Sequence, residues 1–242
     1  MKKVWIDAGH GGKDPGAVAN GIQEKDIALA VSLAIKKRLE SEYEGVQVLL
    51  SRSTDVFLEL RDRTNKANAA GADILVSIHC NAGGGAGGFE SFRYTNASAA
   101  ARTLQNVLHS EIMTALKPFG VTDRGQKAAN LRMVRESKMP AVLTENLFID
   151  VAADAAKLKR TDVIDAIVSG HVSGIAKYLG LKRKQVAPQE DVLSIFVDGV
   201  DVGSGDVKNG VTRAPVRAVA QALGAQVIYD SSRKRIDILK QK

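Results

Sequence analysis

Short apolar runs that alternate with longer amphipathic stretches constrain this chain more than any other feature of its sequence. Residues 4–6, 46–50, 74–78, 89–94 and 141–147 are apolar-rich runs of strand length, which read as strands buried on both faces. Between them, "EKDIALAVSLAIKKRLESE" repeats apolar side chains at Ile27, Ala30, Val31, Ala34, Ile35 and Leu39. That is one face of a helix, with Lys36, Lys37 and Arg38 in its later turns, where the dipole favours cations. Residues 55–71, 97–117 and 162–180 carry three more helical patterns. Strands that alternate with helices predict an α/β fold with a twisted, largely parallel central sheet flanked by helices.

The pattern stops at Gly180. "LKRKQVAPQEDV", residues 181–192, is polar and contains Pro188, and reads as a linker. It separates a domain over 1–180 from a small α+β domain over 193–242, in which strand-like "LSIFVDG", "AQVIYD" and "KRIDILK" surround a helical "APVRAVAQALG". About fifty residues make a marginal core, so this tail is expected to need a partner or a second copy of the chain. No apolar segment approaches the roughly 20 residues that span a bilayer. The start, with Lys2 and Lys3 but only residues 4–6 apolar before Asp7, predicts no secretory signal. The net charge of +7 includes Lys182, Arg183 and Lys184 at the junction, and no basic run interleaved with aromatics suggests a nucleic-acid platform. One cysteine, Cys80, excludes internal disulfides and thiolate clusters, so any metal would be held by His and carboxylate.

Two of the four histidines stand where open α/β sheets collect ligands, at the carboxyl ends of strands. His10 follows the apolar exit "VWIDAG" and His79 ends "DILVSIH". Strand alternation puts Ser77 and Asn81 on the side of His79 and turns Cys80 away as a small buried hydrophobe. His109 and His171 sit in amphipathic helices and read as partly exposed helical residues. Glu24, at the start of the first helix, can return to the strand end that carries His10, although an acid there also simply suits the helix dipole. Glu145 lies inside the buried-looking "MPAVLTENLFI", where an ionised carboxylate is costly without a partner or a task. Two imidazoles and a carboxylate form a catalytic zinc set, and a carboxylate that does not ligate can carry a proton. His10, Glu24, His79 and Glu145 therefore supply the parts for metal-assisted amide hydrolysis. Asp7 and Asp14 read as structural or as supports for a ligand. "GGGAGG" at 83–88 precedes a strand pattern, which argues for a flexible loop beside a site over a phosphate cradle.

"WIDAGHGGKDPGA", the acid of "QEKD", "VSIHCNA" and "MPAVLTENLFI" follow one another as in the zinc-dependent N-acetylmuramoyl-L-alanine amidases of type 3, and "DRGQKAANLRMVRESKMP" resembles their stretch before the last strand. The resemblance covers residues 1 to about 180. It implies one zinc ion and cleavage of the amide between the lactyl group of N-acetylmuramic acid and the L-alanine of the peptidoglycan stem. Carried over by position, it implies zinc ligands His10, Glu24 and His79 and a catalytic Glu145. One departure is visible: where many members read Glu, a variable residue, Gly, Phe, this chain has Glu145, Asn146, Leu147 and Phe148.

The tail is similar to the small repeat named after the amino-terminal region of copper amine oxidases. It holds no His or Cys after residue 181, so no copper follows, and the implied role is wall anchoring. The basic junction suits an anionic wall polymer, and a solvated linker explains it equally well. Bacterial peptidoglycan is thus the expected partner, with synthesis in the cytoplasm and action on the wall after release, as for an endolysin or a lysis-released autolysin. Two other readings are a non-catalytic wall binder on the same fold and a zinc peptidase acting within the stem.

Overall fold

All five expected strands form in a computed structural model, which describes residues 1–185, 191–208, 211–230 and 235–240. Residues 1–184 make one compact unit and 185–242 a second. The first runs β1 (Lys2–Ala8), a short hairpin of β2 (Val18–Ala19) and β3 (Ile22–Gln23), α1 (Glu24–Glu42), β4 (Val46–Leu50), α2 (Leu60–Ala69) and β5 (Ile74–Asn81). It continues with β6 (Phe89–Tyr94), α3 (Ala99–Leu116), β7 (Asp123–Ala129), α4 (Arg132–Arg135), β8 (Ala141–Phe148), α5 (Ala152–Leu158) and α6 (Thr161–Leu179). The sheet order is β4-β1-β5-β8-β6-β7. Its first four strands are parallel; β6 runs antiparallel to β8, and β7 parallel to β6. One sheet edge therefore gathers the carboxyl ends of β1, β5 and β8 and the amino ends of β6 and β7.

Alternation along the strands builds a core on each face. Val4, Ile6, Ile74, Val76, Ile78, Cys80 and Val142 pack with the inner faces of α1, α3 and α6. Trp5, Leu75, Ala141 and Leu143 pack with Ala67 of α2 and Met133 and Val134 of α4. By the same alternation Asp7, Ser77, His79 and Glu145 lie on the α2 side of the sheet. Helices α3 and α6 touch closely because Gly170 is on the contact: a Cβ there would stand 2.5 Å from the Ile112 Cα.

Several expectations need correction. His109 and His171 are buried, not partly exposed. His109 lies 2.9 Å from both Ser91 Oγ and Asp123 Oδ1, and His171 bonds Thr144 Oγ1 and the Ile167 carbonyl. The second helix begins at Leu60 and not at Asp55, because Asp55 accepts from the Gly12 N–H and Lys25 Nζ, each at 2.7 Å, drawing this segment to the exit of β1. Helix α1 runs on to Glu42, so its cations stand short of its last turn. Residues 123–129 form a strand that their polar composition hides. Residues 181–184, in the stretch read as a linker, belong to the first unit: Arg183 pairs with Glu42, and backbone bonds join Glu44 to Lys182 and Lys184 to Glu42. The rest of that stretch from 186 to 190, and tail residues 209–210, 231–234 and 241–242, lie outside the described residues.

The second unit has three antiparallel strands, β9 (Asp191–Val197), β10 (Val200–Lys208) and β11 (Val211–Arg213), then α7 (Val216–Ala222) and a hairpin of β12 (Ala225–Asp230) and β13 (Arg235–Lys240).

Leu147, the departure noted above, sits in a bulge: β8 places Asn146 and Leu147 against the single residue Cys80 of β5. Its φ is +67°, a left-handed backbone that costs a side-chain-bearing residue about 1–2 kcal/mol and costs glycine little. The leucine is also fully buried, and truncating a buried leucine costs about 2–5 kcal/mol. Burial outweighs strain. Leu147→Gly should therefore destabilise the first unit by about 1–3 kcal/mol, read as a lower urea midpoint in the fluorescence of Trp5, the sole tryptophan. An unchanged or higher midpoint would show that strain dominates.

Candidate metal centre

Where β1 leaves the sheet, two buried arginines take over its carbonyl groups. Arg63 donates to Asp7 Oδ1 at 2.9 Å, to the carbonyls of Ala8 and His10 at 2.5 Å each, and to that of Leu58 at 3.1 Å. Arg52 donates to the carbonyls of Ala8, Gly9 and Lys25 at 3.0, 2.7 and 2.7 Å. The second oxygen of Asp7 accepts from Ser77 Oγ at 2.7 Å. Burial pushes the Asp7 carboxyl up, but the Arg63 guanidinium and Ser77 bring it below its ordinary range. Held this way, His10 adopts a φ of +57°. Gly9 is needed for approach: a Cβ there would strike the His79 ring.

Three donor groups converge on this turn. Glu24, first residue of α1, is buried; its Oε2 lies 3.1 Å from His10 Nε2 and accepts from the Ala17 N–H at 3.0 Å. Its Oε1 lies 2.8 Å from His79 Nδ1 and accepts from the Cys80 N–H at 3.2 Å. One ligand atom from each of His10, Glu24 and His79 lies within 4.8 Å of the others, and the two rings meet edge to face with centroids 5.0 Å apart. The far nitrogen of His10, Nδ1, is 2.9 Å from Asp14 Oδ2, and Asp14 Oδ1 accepts from the Gly16 N–H. An imidazole held from behind by a carboxylate is the arrangement that fixes a ligand's tautomer and direction. Phe57, Leu58 and Leu60 line a cavity of about 300 Å³ on this side, together with His10, Asp14 and His79.

Glu145 stands in register with His79 on the neighbouring strand. Its Oε2 is buried and has no hydrogen-bond partner among the described residues, and burial pushes its carboxyl up to about 7. Burial opposes charge on His79 too, but the bond to Glu24 and the nearby Glu145 and Asp7 carboxylates push it up to about 9. Glu24, despite burial, is held well below the carboxylate range by His10 and His79. The thiol of Cys80 packs into the opposite core, and burial raises it further. Two imidazoles and a carboxylate at this separation suit a divalent ion of zinc type. His109 and His171 lie outside the cluster. Sequence reasoning missed Arg52 and Arg63, which carry no motif signal, and for Asp14 left open whether it is structural or supports a ligand; the structure sets it behind His10.

Comparison with known proteins identifies the family. A model of the N-acetylmuramoyl-L-alanine amidase family matches residues 4–177. The endolysin of Bacillus phage SPP1 is 54% identical over 185 residues, covering 76% of this chain and 68% of that protein. The N-acetylmuramoyl-L-alanine amidase CwlM of Bacillus licheniformis is 42% identical over 232 residues, covering 96% and 87%. Among solved structures, the catalytic domain of the amidase CwlV from Bacillus (Paenibacillus) polymyxa var. colistinus superposes with a TM-score of 0.70 at 37% identity, covering 75% of this chain and all of that one.

Because Glu24 and the neighbouring carboxylates push His79 up to about 9, a metal must displace its proton, so zinc affinity should rise with pH up to about 9. Calorimetry in buffers of different ionisation enthalpy should show proton release at pH 7 that fades above 9; constant uptake without release would contradict the charge state. The same raised value stabilises the metal-free fold fully below about pH 6.5 and is lost as pH rises through about 9. Asp14→Asn should weaken zinc binding by roughly 10–100-fold without unfolding the protein, read by competition with a chelator.

Proposed function

The chain belongs to the N-acetylmuramoyl-L-alanine amidase family and is a peptidoglycan amidase, and we propose that His10, Glu24 and His79 hold one zinc ion beside a catalytic Glu145. The observation that supports this reading is the pairing of a compact two-histidine, one-carboxylate cluster with a buried carboxylate oxygen on the next strand that has no hydrogen-bond partner among the described residues. Zinc, when bound, would polarise the substrate carbonyl and acidify water. The chain's own groups do the rest. Asp14 accepts from His10 Nδ1–H and leaves Nε2 free to ligate. Glu145 takes the proton of the attacking water and hands it to the alanine nitrogen as the C–N bond breaks. The products are a lactyl carboxylate on the glycan and a stem peptide with a free L-alanine amine.

A carboxyl pushed up to about 7 suits this task, since it can accept and release a proton near neutral pH. The role is that of a wall-degrading endolysin or autolysin. No helix among the described residues is long and apolar enough to cross a membrane. The second unit, with Phe196, Leu223 and Tyr229 exposed, serves as a wall anchor on this reading, through an anionic wall polymer or by pairing with a second copy.

Glu145→Ala should keep zinc and lose turnover by several orders of magnitude, whereas His79→Ala should lose both. Zinc content and the end groups released from purified walls decide the matter. New alanine amines with intact glycan support the reading; other amines would mean a stem peptidase, and none a binder. An active Glu145→Ala protein would remove the proposed acid and base.

A further inference from the structure

A second carboxylate flanks Glu145 on the side away from His79. Glu90 of β6 pairs directly with Glu145 across the antiparallel ladder, so the two side chains share a face. Glu90 is buried and saturated: Arg124 Nε and Lys127 Nζ reach its Oε2 at 2.8 and 2.5 Å, and Asn81 Nδ2 reaches Oε1 at 2.7 Å. Two cations against one carboxylate leave an excess positive charge. Both stay accessible, with 30% of the Arg124 and 39% of the Lys127 side chain exposed. The nearest acid in sequence, Asp123, is engaged with His109. Arg124 is also held in place, with its guanidinium over the Phe148 ring at 4.6 Å.

The direction of the substrate follows from the chemistry. The group that protonates the leaving nitrogen must face the alanine, so the stem peptide departs on the Glu145 side of the metal cluster, toward β6 and β7. The opposite side carries the apolar wall of Phe57, Leu58 and Leu60, which suits the lactyl methyl and a sugar face. Strands about 4.8 Å apart place β7 about 9.6 Å from β8, and Arg124 leans back over that gap onto Glu90. In an extended peptide the carboxylate of the residue after alanine lies roughly 7 Å from the alanine nitrogen. The lengths match.

Resting on the proposed role of Glu145, we propose that Arg124, helped by Lys127, positions the stem peptide by binding the first free carboxylate after L-alanine, and so selects stems in which that group is not amidated. A planar guanidinium suits a carboxylate in two-point contact, and a neutral carboxamide forfeits the charge.

The test compares two muramoyl peptides that differ only in that group, free acid or amide, using the full-length zinc-loaded protein. The wild type should favour the acid by about tenfold in kcat/KM, mainly through KM, and added salt should erode the preference. Arg124→Gln with Lys127→Gln should abolish the preference and leave zinc content intact. Equal rates of the wild type on both peptides, or a preference that survives the double substitution, would overturn the proposal. Should the double variant fail to fold, Lys127→Gln at the exposed sheet edge and the salt dependence of the wild-type ratio carry the same decision. Binding of the released dipeptide, acid against amide, gives a readout independent of turnover and should show the same tenfold gap. Glu145→Gln reports separately: activity there would sink the proton-transfer role, whereas the acid-to-amide ratio alone judges the carboxylate site.

Discussion

The buried pairing of Arg63 with Asp7 is the interaction on which the candidate site depends. Both side chains are almost wholly removed from water, where an ion pair roughly breaks even against apolar packing. Its value is positional. The guanidinium spends its remaining donors on the carbonyls of Ala8 at the end of β1, of His10 beyond it and of Leu58 before α2, polar groups that need partners. Arg52 does the same for Gly9 and Lys25. The exit of β1 is thereby pinned with His10 in a left-handed conformation that the residue would not choose by itself.

That turn propagates into the chemistry. With His10 fixed, Glu24 is held between it and His79, and the absence of a side chain at Gly9 lets the second ring close in. The glycines around His10 thus do more than make a turn: one of them is a gap cut to the shape of an imidazole. The loop at 83–88 is tied down in the same manner, with Asp150 accepting from Gly83 and Gly84 and Asp154 from Gly88. Carboxylates that cap backbone groups, rather than glycine alone, set the shape of the rim.

Much of this was legible in the sequence. Apolar runs located the strands, the carboxyl-edge rule for parallel sheets put His10 and His79 at neighbouring strand ends, and the start of the first helix left Glu24 able to return to that of His10. What failed to show has identifiable physical causes. An arginine reads as a surface residue, so nothing marked Arg52 and Arg63 as backbone clamps. A histidine on an amphipathic helix has no visible burial until its partner is known, and the partners of His109 and His171 are on β6, β7 and β8. The strand at 123–129 is an edge strand whose side chains alternate little in polarity, so periodicity could not find it. Leu147 was visible as an oddity, but only the bulge explains why glycine would be at ease there.

Glu90 and Glu145 show how the sheet divides labour between two like residues set side by side. They face each other across one ladder and share one face, yet their surroundings drive them apart. Burial raises Glu90 too, but Lys127 and Arg124 overcome this and hold it ionised. Among the described residues Glu145 has no cation bonded to it and its Oε2 has no hydrogen-bond partner, and burial pushes it up to about 7. A carboxylate fixed by two cations cannot take up a proton at neutral pH, so it is fit to hold an arginine in position. One left without such partners can exchange a proton, so it is fit to work on a bond. The assignment of roles therefore follows from what each carboxylate touches, since residue type alone does not distinguish them.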